Sequence, residues 1–122
     1  ILFNLEKIKI LFVEDEEKIR VNIKEAIGEE FASFDTAYDG VNGLDKYIEL
    51  QPDIIITDIS MPNLDGLDMA NEIRKISLTV PIIILSAFSE KDKLFKAIDS
   101  NVTKYIVKPI DVDELLEVIS DF

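Results

Sequence analysis

The feature that most constrains this chain is an alternation, repeated five times, between short apolar runs and longer segments with helical periodicity. The runs are Ile8 to Val13, Phe31 to Ala37, Ile54 to Thr57, Val80 to Leu85 and Tyr105 to Val107. Several are apolar on both faces and rich in β-branched residues, which predicts strands covered on both sides. Helical stripes follow each run. Ile19, Ile23, Ala26 and Ile27 fall at i, i+4, i+7 and i+8, with Gly28 as a stop. Val41, Leu44 and Ile48 form a second stripe, and Met69, Ala70 and Ile73 a third. Ser89 and Asp92 read as a capping-box-like pair ahead of Leu94, Phe95 and Ile98. Asp111 and Glu114 open a last helix with Leu115, Val118, Ile119 and Phe122 inward. Five βα units with right-handed crossovers predict an α/β fold: a doubly wound, five-stranded parallel sheet with helices on both faces.

Composition narrows what such a fold can bind. The 122 residues are 48% hydrophobic, enough for one cored domain spanning 1–122. The 25 acidic and 13 basic side chains leave a net charge of -12. That balance gives no general attraction to nucleic acid or to an anionic membrane surface, and directs attention to cations, basic surfaces and proteins. Cysteine and histidine are both absent, which removes thiolate ligands, imidazole ligands and any phosphohistidine made within the chain. No apolar run reaches membrane-span length and no signal-peptide pattern opens the chain, so the cytoplasm is the expected location. The start at Ile1 and the stop at Phe122 lead us to expect a piece of a longer protein whose remainder carries the output activity.

In parallel sheets of this kind, chemistry gathers at the carboxyl ends of the strands. Glu14, Asp15 and Glu16 follow the first strand, Asp58 the third, Ser86 the fourth, and Lys108 with Pro109 the fifth. In a sheet of order 2-1-3-4-5 the first and third strands are neighbours, so Glu14, Asp15 and Asp58 crowd together. Two like charges about 4 Å apart repel by roughly 4 kcal/mol at an effective dielectric near 20. A hard divalent cation held by carboxylates and water would offset that cost, with Lys108 compensating from the other side. Magnesium (or manganese) suits so small a donor set. Asp58 then becomes a candidate nucleophile at phosphorus, with Lys108 and the metal drawing charge from the transferring group and the Ser86 hydroxyl bonding one of its oxygens.

These residues resemble one family closely. Phe12-Val13-Glu14-Asp15-Glu16 resembles the acidic motif of response-regulator receivers, and Thr57-Asp58-Ile59-Ser60-Met61-Pro62-Asn63-Leu64-Asp65-Gly66 their phosphoacceptor loop. Leu85-Ser86-Ala87 is similar to their hydroxyl turn, and Lys104-Tyr105-Ile106-Val107-Lys108-Pro109 to their lysine motif. The four motifs occur in order, each after its own expected strand, over nearly the whole chain. The resemblance implies a flavodoxin-like fold and a phosphorylation switch of two-component signalling, not an enzyme beyond its own phosphorylation and dephosphorylation. It implies Asp58 as phosphoacceptor, and magnesium bound directly by Asp15 and Asp58, through water by Glu14, and by the backbone carbonyl of Ser60. Lys108 would contact the phosphoryl group, while Ser86 and Tyr105 would form the switch. The donor would be a histidine kinase or a histidine phosphotransfer protein, and the receiver of the signal an output domain or effector protein. Phosphoryl lifetime in the family depends on the positions of Ser60 and Phe88, and Phe88 is expected to shield the acyl phosphate.

The match has departures. Glu14 stands where aspartate is common, Ser86 where threonine is, Asn101 where glycine is frequent, and Ile110 where phenylalanine follows the proline. Asparagine tolerates the left-handed backbone that such a glycine serves. Two other acids have ordinary explanations: Glu16 suits the first turn of a helix, and Asp65 caps the helix after Gly66. Rival functions fit less well. A haloacid-dehalogenase-like phosphatase needs a second carboxylate two residues after its nucleophile, where this chain has Ser60. A flavin carrier needs phosphate-binding donors after the first strand, where Glu14, Asp15 and Glu16 would repel the ligand. A degenerate receiver that only binds proteins does not need the intact set of Glu14, Asp15, Asp58, Ser86 and Lys108. The output surface is expected on the fourth helix, fifth strand and fifth helix. There the fourth helix carries Lys91, Lys93 and Lys96 and the fifth Asp111, Asp113, Glu114 and Glu117, a pattern suited to docking a partner or forming a homodimer.

Overall fold

A computed structural model describes residues 4–93 and 101–122. Five strands, β1 (Lys9–Val13), β2 (Ser33–Ala37), β3 (Ile54–Asp58), β4 (Ile82–Ser86) and β5 (Lys104–Val107), form one parallel sheet in the order β2-β1-β3-β4-β5. The helices among the described residues are α1 (Glu17–Ile27), α2 (Gly40–Leu50), α3 (Gly66–Arg74) and a C-terminal α4 (Val112–Ser120). The expected doubly wound fold and strand order are therefore what the chain adopts.

Side-chain alternation along the strands divides the core into two layers. Ile10 and Phe12 of β1, Ile54 and Ile56 of β3, and Ile83 and Leu85 of β4 pack with Ile23 and Ile27 of α1 and Leu115 and Ile119 of α4. Leu11, Val13, Ile55, Ile82 and Ile84 face the other way, against Tyr47 of α2 and Leu67, Met69, Ala70 and Ile73 of α3. Both faces of the central strands are thus apolar, which is why these runs carry no polar alternation.

Several details differ from the sequence expectation. The inward face of α2 is not Val41, Leu44 and Ile48. Val41 and Ile48 are exposed, Leu44 is partly buried, and the buried positions are Gly40, Gly43 and Tyr47. The helix lies so close to the sheet that a Cβ on Gly43 would come 2.6 Å from Met69 Sδ and 3.0 Å from Val13 Cγ2. A glycine edge carries no hydrophobic signal, so the apolar stripe was read one face away. Phe122 also falls outside its stripe: α4 ends at Ser120 and Phe122 is exposed. Gly28 does end α1 as expected, and the chain continues into a 3-10 turn over Gly28–Glu30. Asn101 does take positive φ, at 58°.

The start of the next helical segment is also two residues earlier than read. A 3-10 segment spans Phe88–Lys93, kinked at Glu90. Glu90 makes a reciprocal capping contact with Ala87, while the expected pair of Ser89 and Asp92 rests on a Ser89 side chain outside the described residues. Its backbone N–H donates to the Ala87 carbonyl, and its side chain accepts from the Ala87 N–H. The expected inward face Leu94, Phe95 and Ile98, with Lys96, lies outside the described residues, as do the side chains of Phe88, Ser89 and Lys91. No helix among the described residues is long and apolar enough to cross a membrane.

Candidate functional site: an acidic pocket at the carboxyl edge

The strands deliver their polar residues to one edge. β3 and β4 each run one residue further than the apolar runs imply, so Asp58 and Ser86 are the last strand residues, registered with Leu85 and Val107. Their backbones are fixed by the ladder, and their side chains are largely withdrawn from solvent. Glu14 follows β1 directly and is wholly buried, its N–H bonded to the Ala37 carbonyl. The Arg20 guanidinium donates from α1 to the Glu14 carbonyl at 2.7 Å. Gly66 closes the far side of the loop after β3 by donating its N–H to the Ile59 carbonyl at 2.8 Å. A Cβ there would sit 1.9 Å from the Asp58 carbonyl oxygen, so only glycine allows the start of α3 to come this near. Asp65 caps α3 as expected, accepting from the Asp68 N–H at 2.8 Å.

Glu14, Asp15 and Asp58 each place one carboxylate oxygen within 4.8 Å of the others. Lys108 reaches in from beyond β5, with Nζ 2.9 Å from Asp58 Oδ2 and 3.6 Å from Glu14 Oε1. The other Asp58 oxygen, Oδ1, accepts from the Ile59 N–H at 3.0 Å. Glu14 Oε2 accepts from the Glu16 N–H at 3.1 Å, whereas Glu14 Oε1 is buried without a hydrogen-bond partner.

The electrostatics follow from this packing. Burial pushes the Glu14 carboxyl up to about 7; contact with Asp15 and the Asp58 charge act with it, against the Glu16 N–H and Lys108. Asp58 is raised as well, chiefly by burial, in spite of Lys108 and the Ile59 N–H. Lys108 is raised because Asp58 and Glu14 outweigh the desolvation of its ammonium. The pocket is an anionic cluster short of positive charge, and the buried Glu14 Oε1 is an acceptor there without a hydrogen bond.

Ser86 and Tyr105 meet as neighbours on β4 and β5: the Ser86 hydroxyl donates to the Tyr105 hydroxyl, with the tyrosine partly buried against the α2–α3 layer. Every expected site residue thus lies at this edge. The sequence reading missed Glu90. Its Oε1 accepts from the Ala87 N–H at 2.7 Å, its Oε2 accepts from the Ser60 hydroxyl, and Lys93 Nζ lies 3.6 Å from Oε2. The signal was present in the spacing of Ala87 and Glu90, three residues apart, but Ser89 and Asp92 offered a more usual pair. Lys93, expected on the output surface, is drawn to Glu90 and Ser60.

A doubly wound parallel sheet with a carboxylate cluster and a lysine at its carboxyl edge defines a class of α/β domains with an acidic pocket. Comparison makes the assignment specific: residues 10–120 match the sequence profile of the response regulator receiver domain, and the chain belongs to that family. It is 33% identical to the chemotaxis protein CheY of Halobacterium salinarum over 113 residues, covering 93% of this chain and 94% of that protein. It is 39% identical to the response regulator ArlR of Staphylococcus aureus over 108 residues, covering 88% of this chain but 49% of ArlR. The chain therefore spans about half the length of ArlR. Among solved structures, the N-terminal domain of an uncharacterized protein from Wolinella succinogenes is similar at a TM-score of 0.87 and 38% identity, covering 93% of this chain and 92% of that one. A receiver domain protein from Clostridium thermocellum gives a TM-score of 0.87 at 32% identity, with the same coverage of 93% and 92%. The chain is a receiver domain of two-component signalling, a regulatory module.

Proposed function

We propose that this domain is a switch that accepts a phosphoryl group on Asp58 from the phosphohistidine of a histidine kinase or histidine phosphotransfer protein, in a reaction that needs Mg2+ (or Mn2+). The observation that carries the reading is the state of Asp58. It is a strand-end carboxylate held at one oxygen by Lys108 and at the other by the Ile59 N–H, beside a buried Glu14 oxygen that accepts no hydrogen bond and has only the 3.6 Å ion pair with Lys108.

The donor set fits a hard divalent cation, because three carboxylates converge and one buried oxygen accepts no hydrogen bond. Asp15 and Asp58 would hold it directly, Glu14 through water, and Ser60 by its backbone carbonyl. When bound, it would neutralise charge on the phosphoryl oxygens. Asp58 supplies the nucleophile: its carboxylate oxygen forms the new O–P bond as the P–N bond to the donor imidazole breaks, the nitrogen keeping the electron pair. Lys108 pairs with a phosphoryl oxygen in place of part of its contact with Asp58. Ser86 exchanges its bond to Tyr105 for one to the phosphoryl group, and the Tyr105 ring follows inward. That movement alters the surface built from β5, the C-terminal helix and the segment after β4, where an output domain, effector protein or second copy of the chain would dock. Water later cleaves the acyl phosphate and resets the switch.

Incubation with acetyl phosphate, read by intact-protein mass spectrometry, tests the proposal. The expected result is a gain of one phosphoryl group that needs both the divalent cation and Asp58, and is absent in Asp58→Asn. A folded wild-type protein that takes up no phosphoryl group from acetyl phosphate or from a partner kinase would contradict it.

A further inference from the structure

Glu90 belongs to none of the motifs that mark this pocket, yet its carboxylate ties together the two loops that flank Asp58. One oxygen takes the backbone N–H of Ala87, the first residue beyond β4, at 2.7 Å. The other takes the hydroxyl of Ser60, two residues beyond Asp58. Lys93 lies 3.6 Å from that second oxygen and donates to Ser60 Oγ at 3.3 Å. An amide N–H, a hydroxyl and an ammonium, from two separate loops, thus converge on one carboxylate. That is the donor set an oxyanion takes, here occupied by a side chain of the protein itself. The hydrogen bonds from Ser60, Ala87 and Lys93 hold the Glu90 carboxyl below its ordinary value against the opposing effect of burial.

We infer that Glu90 is an internal latch: its carboxylate holds the Ala87 N–H, the Ser60 hydroxyl and Lys93 in the resting state, and it must release them when a phosphoryl group is placed on Asp58. The inference rests on the phosphoacceptor reading of Asp58. A phosphoryl group brings up to two negative charges and three acceptor oxygens to the same edge of the sheet. Glu90 is then both repelled and outcompeted, and the donors pass from one anion to the other. The latch makes Glu90 a positioning residue that sets how readily Asp58 is modified, without touching the transferred group.

The test uses the full chain with acetyl phosphate and Mg2+. Glu90→Gln keeps the shape and removes the charge, and Glu90→Ala removes both. Glu72→Gln makes the same change in net charge on the exposed face of α3, where Glu72 pairs with Lys75. Both Glu90 variants are expected to phosphorylate faster, on the order of tenfold, as one charge-assisted hydrogen bond ceases to compete. Glu72→Gln should keep the wild-type rate. The Ala87 amide resonance of the unphosphorylated protein should move in both Glu90 variants and stay in place in Glu72→Gln. The rise in rate is the readout that separates the latch from a merely structural role, since loosening a structural loop contact would slow phosphorylation or leave it unchanged. Wild type that is phosphorylated at a rate the Glu90 variants only reproduce, or an Ala87 resonance indifferent to them, overturns the latch alone. Wild type that takes up no phosphoryl group overturns the phosphoacceptor reading and the latch with it.

Discussion

The ammonium of Lys108 lies 2.9 Å from Asp58 Oδ2, joining the end of β3 to the residue after β5 across the intervening β4. This single contact offsets part of the repulsion among three carboxylates, and it also reaches Glu14 at 3.6 Å. Lys108→Ala should therefore destabilise the metal-free protein by about 2 kcal/mol, since two buried acids lose their cation. Thermal unfolding in chelator, with and without added Mg2+, checks this. The deficit should shrink when the divalent ion is supplied, while phosphorylation remains slow.

Glu14 makes the metal-free fold sensitive to pH. Its folded carboxyl is pushed up to about 7 from an ordinary 4.5, so the folded state holds the proton more tightly than the unfolded state does. Its contribution is therefore fully present below the unfolded value and is lost as pH rises through the folded one. Glu14→Gln should unfold at a higher temperature than wild type at about pH 8 without metal, and the advantage should fade toward about pH 5. Mg2+ should reduce the advantage at the higher pH, because it stabilises the ionised Glu14 that glutamine cannot mimic.

Gly66 and Gly43 separate two kinds of close packing. Gly43→Ala meets the flexible Met69 side chain at 2.6 Å, and should cost about 1–3 kcal/mol by overpacking. Gly66→Ala meets the backbone oxygen of Asp58 at 1.9 Å, which cannot move without moving the proposed phosphoacceptor. Denaturant melts should show both variants weakened and Gly66→Ala the more so. Mg2+ titrations should show that only Gly66→Ala also loses cation affinity.

Tyr105→Phe removes the partner of a buried hydroxyl. Ser86 is wholly buried and its hydroxyl bonds to Tyr105, so the variant should lose about 1 kcal/mol in denaturant melts. If the two hydroxyls form the switch, the Ser86 hydroxyl is freer to meet the phosphoryl group in this variant. The phosphorylation rate should then hold or rise while the response of β5 and the C-terminal helix, followed by amide resonances, is blunted.

The sheet was readable because burial on both faces imposes the same requirement at every position of β3 and β4, leaving unbroken Ile54-Ile55-Ile56 and Ile82-Ile83-Ile84 runs. The acidic pocket was readable because strand order converts positions distant in sequence, such as Asp15, Asp58 and Lys108, into neighbours. What escaped lay where the signal is the absence of a side chain or a contact between loops. The inward face of α2 is built on Gly40 and Gly43, which look like gaps in an apolar stripe. Glu90 acts on Ser60 from thirty residues away, and no local pattern encodes a hydrogen bond between two loops. Its local bond to Ala87 was open to reading, but Ser89 and Asp92 presented the stronger cap by residue type.

The central claim is that Asp58, and no other acid of this pocket, carries the phosphoryl group. The most direct measurement is reductive trapping with borohydride after acetyl phosphate and Mg2+ treatment, followed by peptide mass spectrometry. Reduction converts an aspartyl phosphate to homoserine and leaves unmodified carboxylates unchanged. Homoserine at position 58 alone, lost when Mg2+ is chelated, is the predicted result. Homoserine at position 15, or a phosphoryl group that resists reduction and sits on a hydroxyl such as that of Ser86, would contradict the account.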